Sequence, residues 1–444
     1  MNKTQEFLKR IDELQKQEIP AKVLARARQS LLDYIAVTSA GARFQADKLK
    51  KYREFAIPEP GEFTTIGVGR EVLNEAVFLN GLNGHALDFD DGTNSGIIHL
   101  GSPIFSLLLP LAERYDIEVD DMLKAAIIGY ETSYTMAVSI QPGHKALGFH
   151  ATGTCGVLGA TIAASYMIGF SDEDRYQAFS TACASATGML SVLDDGSELK
   201  PYNVAKTALL ALTSIQLAKS GFKGNPDPLG SYRGYLKMMT GRDDVELKPL
   251  LLNGTYAIMK SYTKPYASCR YTHPSVEAAI HMRDRVKPEE VEKIEIKTYS
   301  LAVSGHDHTD IPGSYSAKMS IPYATAVGMI YGKAGLQEFS EECVRDNNIL
   351  SLTKRILVEA DQELSDAFPE IQAAIVTIKK RDGSAISERV DFPKGEPENP
   401  LSENEFKDRY DGLMAYAGQV NGERIYTLIY GEHTKVRDIM RHLA

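Results

Sequence analysis

Acids and histidines stand close together in one early stretch of the chain, between apolar segments. His85, Asp88, Asp90 and Asp91 fall within this stretch, and His99 follows shortly after. Charged groups are costly to bury beside apolar residues unless they are paired or used, and sites of chemistry are where that cost is tolerated. Carboxylates and imidazoles placed together can exchange protons with a substrate. The stretch therefore predicts part of an active site.

The apolar periodicity before the cluster predicts a helix over residues 73–90. On such a helix His85, Asp88 and Asp91 share one face through i, i+3 spacing, whereas Asp90 points elsewhere. The alternative is that the acids cap the helix end or bond to neighbouring backbone, which suits Asp90 and Asp91.

No metal site is predicted. A calcium loop counted from Asp88 would need glycine at its sixth position and glutamate at its twelfth, but glycine falls one position early and His99 stands at the twelfth. His306 and His308 lie beside acids in a polar loop, without the helical or hairpin framework of a zinc site. The four cysteines are scattered and form no Cys-x-x-Cys pair, so a zinc ribbon or redox dithiol is not expected.

A second cluster covers residues 264–274 and contains Lys264, Cys269, Arg270 and His273. The proline after His273 suits the first turn of a helix. Helix starts attract anions, and Arg270 would reinforce that attraction. A simple helix cap is the alternative, but the residue type favours a functional role for His273. Cys269 is more simply explained as a small buried residue.

Lys200 stands at the start of a predicted helix that also carries Lys206. A lysine at this point can meet a substrate carboxylate as a point charge, although a solvated lysine explains it equally well. His144 and His150 flank a Gly-Phe pair, and either suits a hydrogen-bonded core histidine.

The bulk properties are those of a globular protein of two or three domains. The chain has 444 residues and a net charge of −10, which argues against nucleic acid as a partner but not against a small anionic substrate. The N-terminus shows no signal peptide, and we see no uninterrupted apolar run of membrane-spanning length. We therefore expect no membrane partner and a cytoplasmic location.

The pattern of elements predicts a mainly α fold. Strands are almost absent before about residue 260, and both chain ends are helical. Between them, residues 291–298 alternate as a half-exposed strand does, and 373–390 predict a hairpin with Asp-Gly at its turn. Helices are predicted over 3–40 (two helices), 73–90, 103–114, 122–139, 150–169, 174–192, 203–219, 274–285, 317–331, 339–363, 403–417 and 436–443.

Several of these motifs together resemble the MmgE/PrpD family, which includes 2-methylcitrate dehydratase, cis-aconitate decarboxylase and iminodisuccinate epimerase. The first match is Asn80-Gly81 through His85-x-x-Asp88-Phe89-Asp90-Asp91. The order and spacing of the matching blocks cover nearly the whole chain. The further blocks are His150-Ala151-Thr152-Gly153-Thr154, Cys269-Arg270-Tyr271-Thr272-His273-Pro274, Ser320-Ile321-Pro322-Tyr323-Ala324 and Asn399-Pro400-Leu401-Ser402.

The resemblance implies a large all-helical domain formed by residues 1–263 and 397–444, and a smaller α+β lid domain of residues 264–396. It also implies a homodimer and chemistry that needs no cofactor. Carried over by position, the catalytic residues are Asp88, His99, Lys200 and His273. The residues that we expect to bind substrate are His85, Asp91, His150, Lys206, Lys264 and Arg270.

We therefore expect a lyase, either a dehydratase or a decarboxylase, that acts on a small di- or tricarboxylate through proton transfer next to a carboxylate. Residue types alone favour elimination of water. Epimerisation of a dicarboxylate is the alternative reaction, and a carboxylate-binding protein without activity is the alternative class. Epimerisation needs two proton carriers on opposite faces, which Asp88 and His273 could provide. The binding protein is motivated by departures from the family pattern, since Gly92 follows the acids and Pro-Tyr-Asn follows Lys200 where relatives commonly differ.

Overall fold

The computed structural model describes residues 1–56, 59–192 and 197–444, and it is mainly helical, as predicted. Its helices are α1 Lys3–Gln15, α2 Ala21–Phe44, α3 Ala46–Ala56, α4 Leu73–His85, α5 Gly101–Tyr115, α6 Val119–Ile140, α7 Gly143–Ala146, α8 Ala151–Thr154, α9 Gly156–Met167, α10 Asp172–Ser185, α11 Lys200–Lys219, α12 Tyr235–Thr240, α13 His273–Met282, α14 Ser300–Val303, α15 Ser314–Met319, α16 Ile321–Tyr331, α17 Asn347–Thr353, α18 Gln362–Asp366, α19 Glu403–Tyr416, α20 Gly422–Tyr430 and α21 Val436–Met440. Its strands are β1 Phe63–Thr65, β2 Gly69–Glu71, β3 Val291–Thr298, β4 Ile356–Ala360, β5 Ala374–Lys380 and β6 Ala385–Val390.

The centre of the helical part is formed by helices that are apolar on nearly every side. Helices α5, α6 and α9 bury most of their residues and pack against one another, and α5 and α9 also pack against α11. The two ends of the chain meet in this part, because α19 and α20 pack on α2 while α21 packs on α5. None of the helices in the described ranges combines the length and apolar character that a membrane-spanning segment requires.

The segment that begins at Lys264 and contains β3 to β6 is called the later segment here. Its sheet has the strand order β4-β3-β5-β6. Strands β3 and β5 are antiparallel, β5 and β6 form the predicted hairpin, and β4 runs parallel to β3. Gly383, in the turn of the hairpin, has a φ of 86°, a conformation that glycine adopts without steric cost. Helices α13 and α16 cover the sheet, and the buried apolar side chains of this segment join those of the helical part in one continuous cluster.

Several predicted helices differ from the structure: α10 ends at Ser185 within the predicted 174–192, and the predicted 317–331 is divided into α15 and α16. Residues 339–363 do not form one helix, since α17 ends at Thr353 and the chain then enters strand β4. Periodicity cannot separate a short apolar strand from a helix, and pairing with β3 decides the matter here. The helix predicted over 73–90 ends at His85, for reasons that belong to the site below.

The glycines of α9 allow a close helix crossing. The predicted helix over 150–169 is divided at Cys155 into α8 and α9. Gly159 on α9 faces α6, where a Cβ atom on Gly159 would overlap Ser133 Oγ and the carbonyl oxygen of Gly129. The two backbones therefore approach to a separation that only glycine permits at this position.

Replacing Gly159 with alanine should destabilise the fold, because the overlap falls on backbone as well as on a side chain. We expect Gly159→Ala to lower the free energy of unfolding by roughly 1–3 kcal/mol, the usual cost of overpacking. Gly412 is a matched control inside α19, where an added Cβ meets no described atom within 4 Å. Gly412→Ala should raise stability by about 0.5–1 kcal/mol. Urea unfolding of both variants checks the difference, and equal effects would contradict the close crossing.

Candidate active site

The acidic cluster lies in a loop that leaves α4 directly after His85, so the predicted shared helical face is wrong. The backbone of Asp88 has a φ of 50°, in the left-handed region that ends regular helix and that aspartate tolerates better than most residues. The loop continues to α5, which starts at Gly101. Each acid of the cluster consequently meets different partners.

Asp90 points inward and bonds His85, contrary to the expectation that it lies apart. His85 Nδ1 lies 2.8 Å from Asp90 Oδ1, and the hydroxyl of Ser102 donates to Asp90 Oδ2 at 2.7 Å. Burial opposes ionisation of Asp90, but His85 and His99 outweigh it and hold the pKa of this carboxyl well below its usual value. Burial also lowers the pKa of His85 to about 4, against the opposing effect of Asp90. The pair is therefore an aspartate with a neutral, oriented imidazole.

Asp91 holds the loop to the first turn of α5 and does not face the cavity. Its Oδ1 accepts a hydrogen bond from the backbone N–H of Gly101 at 2.9 Å, and its Oδ2 accepts one from Tyr130 at 2.7 Å. A Cβ on Gly101 would approach Asp91 Oδ1 to 2.8 Å, so glycine is required for this contact. A helix N-terminus favours a carboxylate. The expected substrate-binding role of Asp91 therefore gives way to the capping role that the sequence left open.

Asp88 is the centre of the cluster, because two lysines from distant parts of the chain converge on it. The Nζ atom of Lys200 lies 2.7 Å from Asp88 Oδ1, and that of Lys264 lies 2.9 Å from the same atom. Lys264 also donates to the backbone carbonyl of Asp88 at 2.6 Å. Burial disfavours the charged carboxylate, but the two lysines overcome it and hold the pKa of Asp88 well below its usual value. Asp88 is ionised at neutral pH, and its Oδ2 is buried without a hydrogen-bond partner among the described residues.

Two further histidines face the same cavity. His99 Nδ1 donates to the carbonyl oxygen of Asp91 at 2.8 Å, which leaves Nε2, 3.7 Å from Asp88 Oδ1, as the free ring nitrogen of the neutral form. Asn203 donates to His150 Nδ1 at 3.1 Å. Burial and the charge of Lys200 hold the pKa of His150 well below its usual value, so this ring stays neutral.

Arg270 forms a buried ion pair with Glu396, and Asn94 donates to the other carboxylate oxygen of Glu396 at 2.7 Å. The ion pair uses Nε of the guanidinium. Nη1 is buried and has no hydrogen-bond partner among the described residues, although Arg270 lines the cavity. One donor of this arginine is therefore available to a bound group.

The inner cavity has a volume of about 80 Å³. Its lining comes from the helical part and from the segment that carries the four-stranded sheet. A second and larger cavity, the outer cavity, is also lined by Asp88 and Lys200, and in addition by His85. The sequence-predicted residues that line the inner cavity are Asp88, His99, His150, Lys200, Lys264 and Arg270.

Two other predicted residues do not line either cavity. His273 is buried, its Nε2 lies 3.2 Å from the carbonyl oxygen of Ser268, and its ring packs edge-on against Tyr266. Burial and the charge of Arg270 hold the pKa of His273 well below its usual value, so it is a neutral core residue in this structure. Lys206 is half-buried on α11, with Nζ over the ring of Tyr202 at 5.3 Å from its centroid.

The structure adds basic groups that the sequence analysis missed. Lys145 lines both cavities and donates to the hydroxyl of Tyr271 at 2.6 Å, and burial lowers its pKa to about 8. Lys318 lines the outer cavity with its Nζ 3.3 Å from the carbonyl oxygen of Leu87, and burial lowers its pKa to about 7 despite the attraction of Asp88. Lys318 stands two residues before the recognised block that starts at Ser320, and that position was the signal available in the sequence.

Cys269 and His306 also come together in the inner cavity, with 3.6 Å between Sγ and Nε2. Neither residue was assigned to the site from the sequence. The two stand far apart in the chain, and only the packing of the later segment makes them a pair.

One set of side chains has the composition of a metal site. Ligand atoms of His85, Asp88, Asp90 and His99 lie within 4.8 Å of one another. However, the ammonium groups of Lys200 and Lys264 already occupy Asp88 Oδ1 and repel a cation placed beside it. The donor set therefore fits a metal ion poorly.

Comparison with known proteins identifies relatives along almost the full chain. The MmgE/PrpD N-terminal domain model matches residues 5–248, and the MmgE/PrpD C-terminal domain model matches residues 266–429. The chain is 26% identical to a cis-aconitate decarboxylase of Aspergillus terreus over 434 residues, which cover 91% of this chain and 87% of the relative. It is 26% identical to the cis-aconitate decarboxylase-like protein oryM of Aspergillus oryzae over 96% of this chain and 92% of the relative. A cis-aconitate decarboxylase of Mus musculus is 24% identical over 76% of this chain and 70% of the relative.

Removing one lysine from Asp88 should destabilise the fold. Lys264→Ala leaves buried Asp88 with a weaker counter-charge and its carbonyl oxygen without a donor, so we expect a loss of about 3 kcal/mol in unfolding free energy. Lys206→Ala removes a lysine that does not line the cavity, so it should change the unfolding free energy by less than about 0.5 kcal/mol. Urea unfolding at neutral pH compares the two, and equal losses would show that the pair with Asp88 adds nothing.

The buried histidine of the cluster should make the fold acid-sensitive. The unfolded chain protonates His85 near its ordinary pKa, whereas the folded chain does so only near 4, so stability is full above about pH 6.5 and falls as the pH drops towards 4. This one group contributes a slope of up to about 1.4 kcal/mol per pH unit. We expect a shallower slope for His85→Gln in unfolding measured from pH 7 to 4. An unchanged slope would assign the acid sensitivity to other groups.

Proposed function

The chain belongs to the MmgE/PrpD family, and from that membership we propose that it is a lyase that acts on a small tri- or dicarboxylate. The observation that carries this proposal is the charge of the inner cavity. Basic side chains face it from both parts of the chain, and Asp88 is the acid that lines it among the described residues. The basic residues that line the inner cavity are Lys145, Lys200, Lys264 and Arg270.

The cavity is suited to several carboxylates at once. Lys200 and Lys264 are partly neutralised by Asp88, but Lys145 bonds a neutral hydroxyl and Arg270 keeps one donor free. Burial lowers the pKa of Lys145 to about 8, and a carboxylate placed beside it would raise that pKa again. The carboxylates of a substrate would therefore balance the positive charge of the cavity lining.

The names of the relatives favour loss of carbon dioxide over the elimination of water that residue types alone suggested. In such a reaction the bond between a carbon and its carboxylate breaks, carbon dioxide leaves, and the electron pair moves towards a neighbouring double bond. A proton is then added to a carbon next to a remaining carboxylate. Fixed positive charges that face this carboxylate stabilise the extra charge of the intermediate, and we assign this task to Lys200.

The environment of Asp88 argues against its expected role in proton transfer. A carboxylate that two lysines keep ionised has no proton to give at neutral pH, so we assign it to holding Lys200 and Lys264 in place and charged. His99 presents Nε2 to the cavity and is a proton carrier by residue type and position. His273 lies in the second cluster but does not line the cavity, and it would reach the cavity only if the segment around it moved. Our proposal therefore gives His273 no proton-transfer step.

Three further features are carried over from the family resemblance as proposals. Residues 264–396 form a lid domain over a helical domain of residues 1–263 and 397–444, and the inner cavity lies between them. The active protein is a homodimer. Charge stabilisation and proton transfer by side chains suffice for the reaction without a cofactor.

Proton NMR in deuterium oxide tests the proposal with a panel of cis-aconitate, citrate, 2-methylcitrate and tartrate isomers. We expect cis-aconitate to be consumed with a new alkene signal and deuterium in the product next to a carboxylate. Lys200→Met should lower kcat/KM by about 10³-fold because a fixed charge on the intermediate is lost. Lys206→Met is the matched control and should retain activity.

Other outcomes of this experiment separate the alternatives. A new alkene from citrate or 2-methylcitrate would indicate a dehydratase, and deuterium exchange without loss of a group would indicate an epimerase. Tight binding of cis-aconitate in calorimetry with no turnover on the whole panel would indicate a binding protein and would overturn the enzyme proposal.

A further inference from the structure

Cys269 and His306 form a pair in the wall that the later segment contributes to the inner cavity. Sγ lies 3.6 Å from Nε2. The backbone N–H of Cys269 donates to the carbonyl oxygen of Lys318 at 2.9 Å, and the carbonyl oxygen of His306 accepts from Ile321 at 2.8 Å. Both residues are thus fixed to the segment around α15 and α16, so the pairing is a property of the fold.

The orientation of His306 makes it a proton acceptor for the thiol. Its Nδ1 donates to the carbonyl oxygen of Ser304 at 2.9 Å, so in the neutral ring Nε2 carries the lone pair that faces Cys269. Burial alone would raise the pKa of the thiol, but His306 reverses this effect and lowers it to about 6. Sγ of Cys269 and Nε2 of His306 can therefore share one proton.

The charged groups around the pair act on the thiol in both directions, since Lys200 lowers its pKa and Asp88 raises it. Lys145 donates to the hydroxyl of Tyr271, whose ring meets that of His306 edge-on with 5.1 Å between centroids. Arg270, next to Cys269 in the chain, lines the same cavity with its unpartnered, buried Nη1. The charged and titratable groups that act on Cys269 or His306 are Lys145, Lys200, Arg270, Asp88, Tyr271 and Tyr299.

We infer that Cys269 and His306 are the proton donor of this active site, and that Arg270 Nη1 holds a substrate carboxylate beside them. The inference rests on the proposed function for its chemistry. The pair adds a donor to the site, because Asp88 is held ionised, His273 does not line the cavity, and His99 in its neutral form presents only the lone pair of Nε2.

The step balances without a further reactant. After carbon dioxide leaves with its carbon–carbon bond broken, the electron pair on the substrate carbon forms a bond to the proton shared by Cys269 and His306. The pair is left as a thiolate beside a neutral imidazole. His306 lines the outer cavity as well as the inner one, so its ring can take the next proton from solvent.

Kinetics with the substrate found in the NMR panel test the donor. Cys269→Ala should lower kcat by about 10²-fold, the usual contribution of a positioned acid, and leave KM within about twofold. His306→Asn should lower kcat to a similar extent. Cys343→Ala is the matched control, because Cys343 is half-buried and lines neither cavity, and it should retain full activity. Cys269→Ala with more than about a third of the wild-type kcat would overturn the proposal.

Alkylation by iodoacetamide tests the pair without any turnover. Mass spectrometry of the peptide that contains Cys269 should give a rate that rises with pH around a midpoint near 6, whereas Cys343 serves as the internal reference. His306→Asn should move the midpoint to about 8.5 or higher. Propane-1,2,3-tricarboxylate, a saturated tricarboxylate, should slow alkylation of Cys269 at least about tenfold in wild type and less in Arg270→Gln.

The kinetic experiment and the alkylation experiment can give negative results independently of each other. If no compound in the panel reacts but the low midpoint and the protection are observed, the pair stands beside a carboxylate site and only the proposed reaction is wrong. A midpoint near that of an ordinary thiol, or alkylation that the tricarboxylate does not slow, would overturn the pair whatever the reaction is.

Discussion

The pairing of one buried carboxylate with two lysines is the interaction around which this site is organised. Asp88, Lys200 and Lys264 come from three distant places in the chain, and their charged atoms meet within hydrogen-bonding distance. None of the three could be buried alone as a charge, because the loss of hydration would exceed any local gain. Together they fix the loop after α4, the start of α11 and the entry to the second cluster relative to one another. The cavity exists where these three segments meet.

The acids of the cluster do different work because their partners differ. Asp88 faces lysines and Asp90 faces His85, and in both cases the partners hold the carboxyl pKa low against burial. Asp91 bonds a tyrosine and a helix N-terminus, and burial raises its pKa. Asp90 and Asp91 fasten the loop to α5, so Asp88 can carry its charge at the cavity. Dense charge in an apolar neighbourhood here serves both architecture and chemistry.

The charge balance of the cavity connects this architecture to the proposed function. Lys145 and Lys318 are buried lysines whose pKa values fall to about 8 and about 7 because burial disfavours their charge. Such groups become more stable as cations when a carboxylate arrives, so binding and protonation are coupled. A substrate with several carboxylates supplies the missing negative charge to both walls at once. The proton that the reaction requires can then come from the wall that holds Cys269 and His306.

The sequence by itself determined the family, the mainly helical fold and four of the five charged residues that line the inner cavity, all except Lys145. Patterns of residue types along short stretches carry this information, and Asp88, His99, Lys200 and Arg270 all stand in such stretches. Only the tertiary structure decided what each residue contacts. The end of α4 at His85 depends on the bond to Asp90, and the strand at 356–360 depends on its partner β3. His273 looked reactive by type but faces the core, whereas Lys318 and the Cys269–His306 pair gained their roles from burial and from neighbours distant in the chain. Burial and contacts between residues distant in the chain set the pKa values and the orientation of these side chains. The order of residues in a short stretch does not reveal either of them.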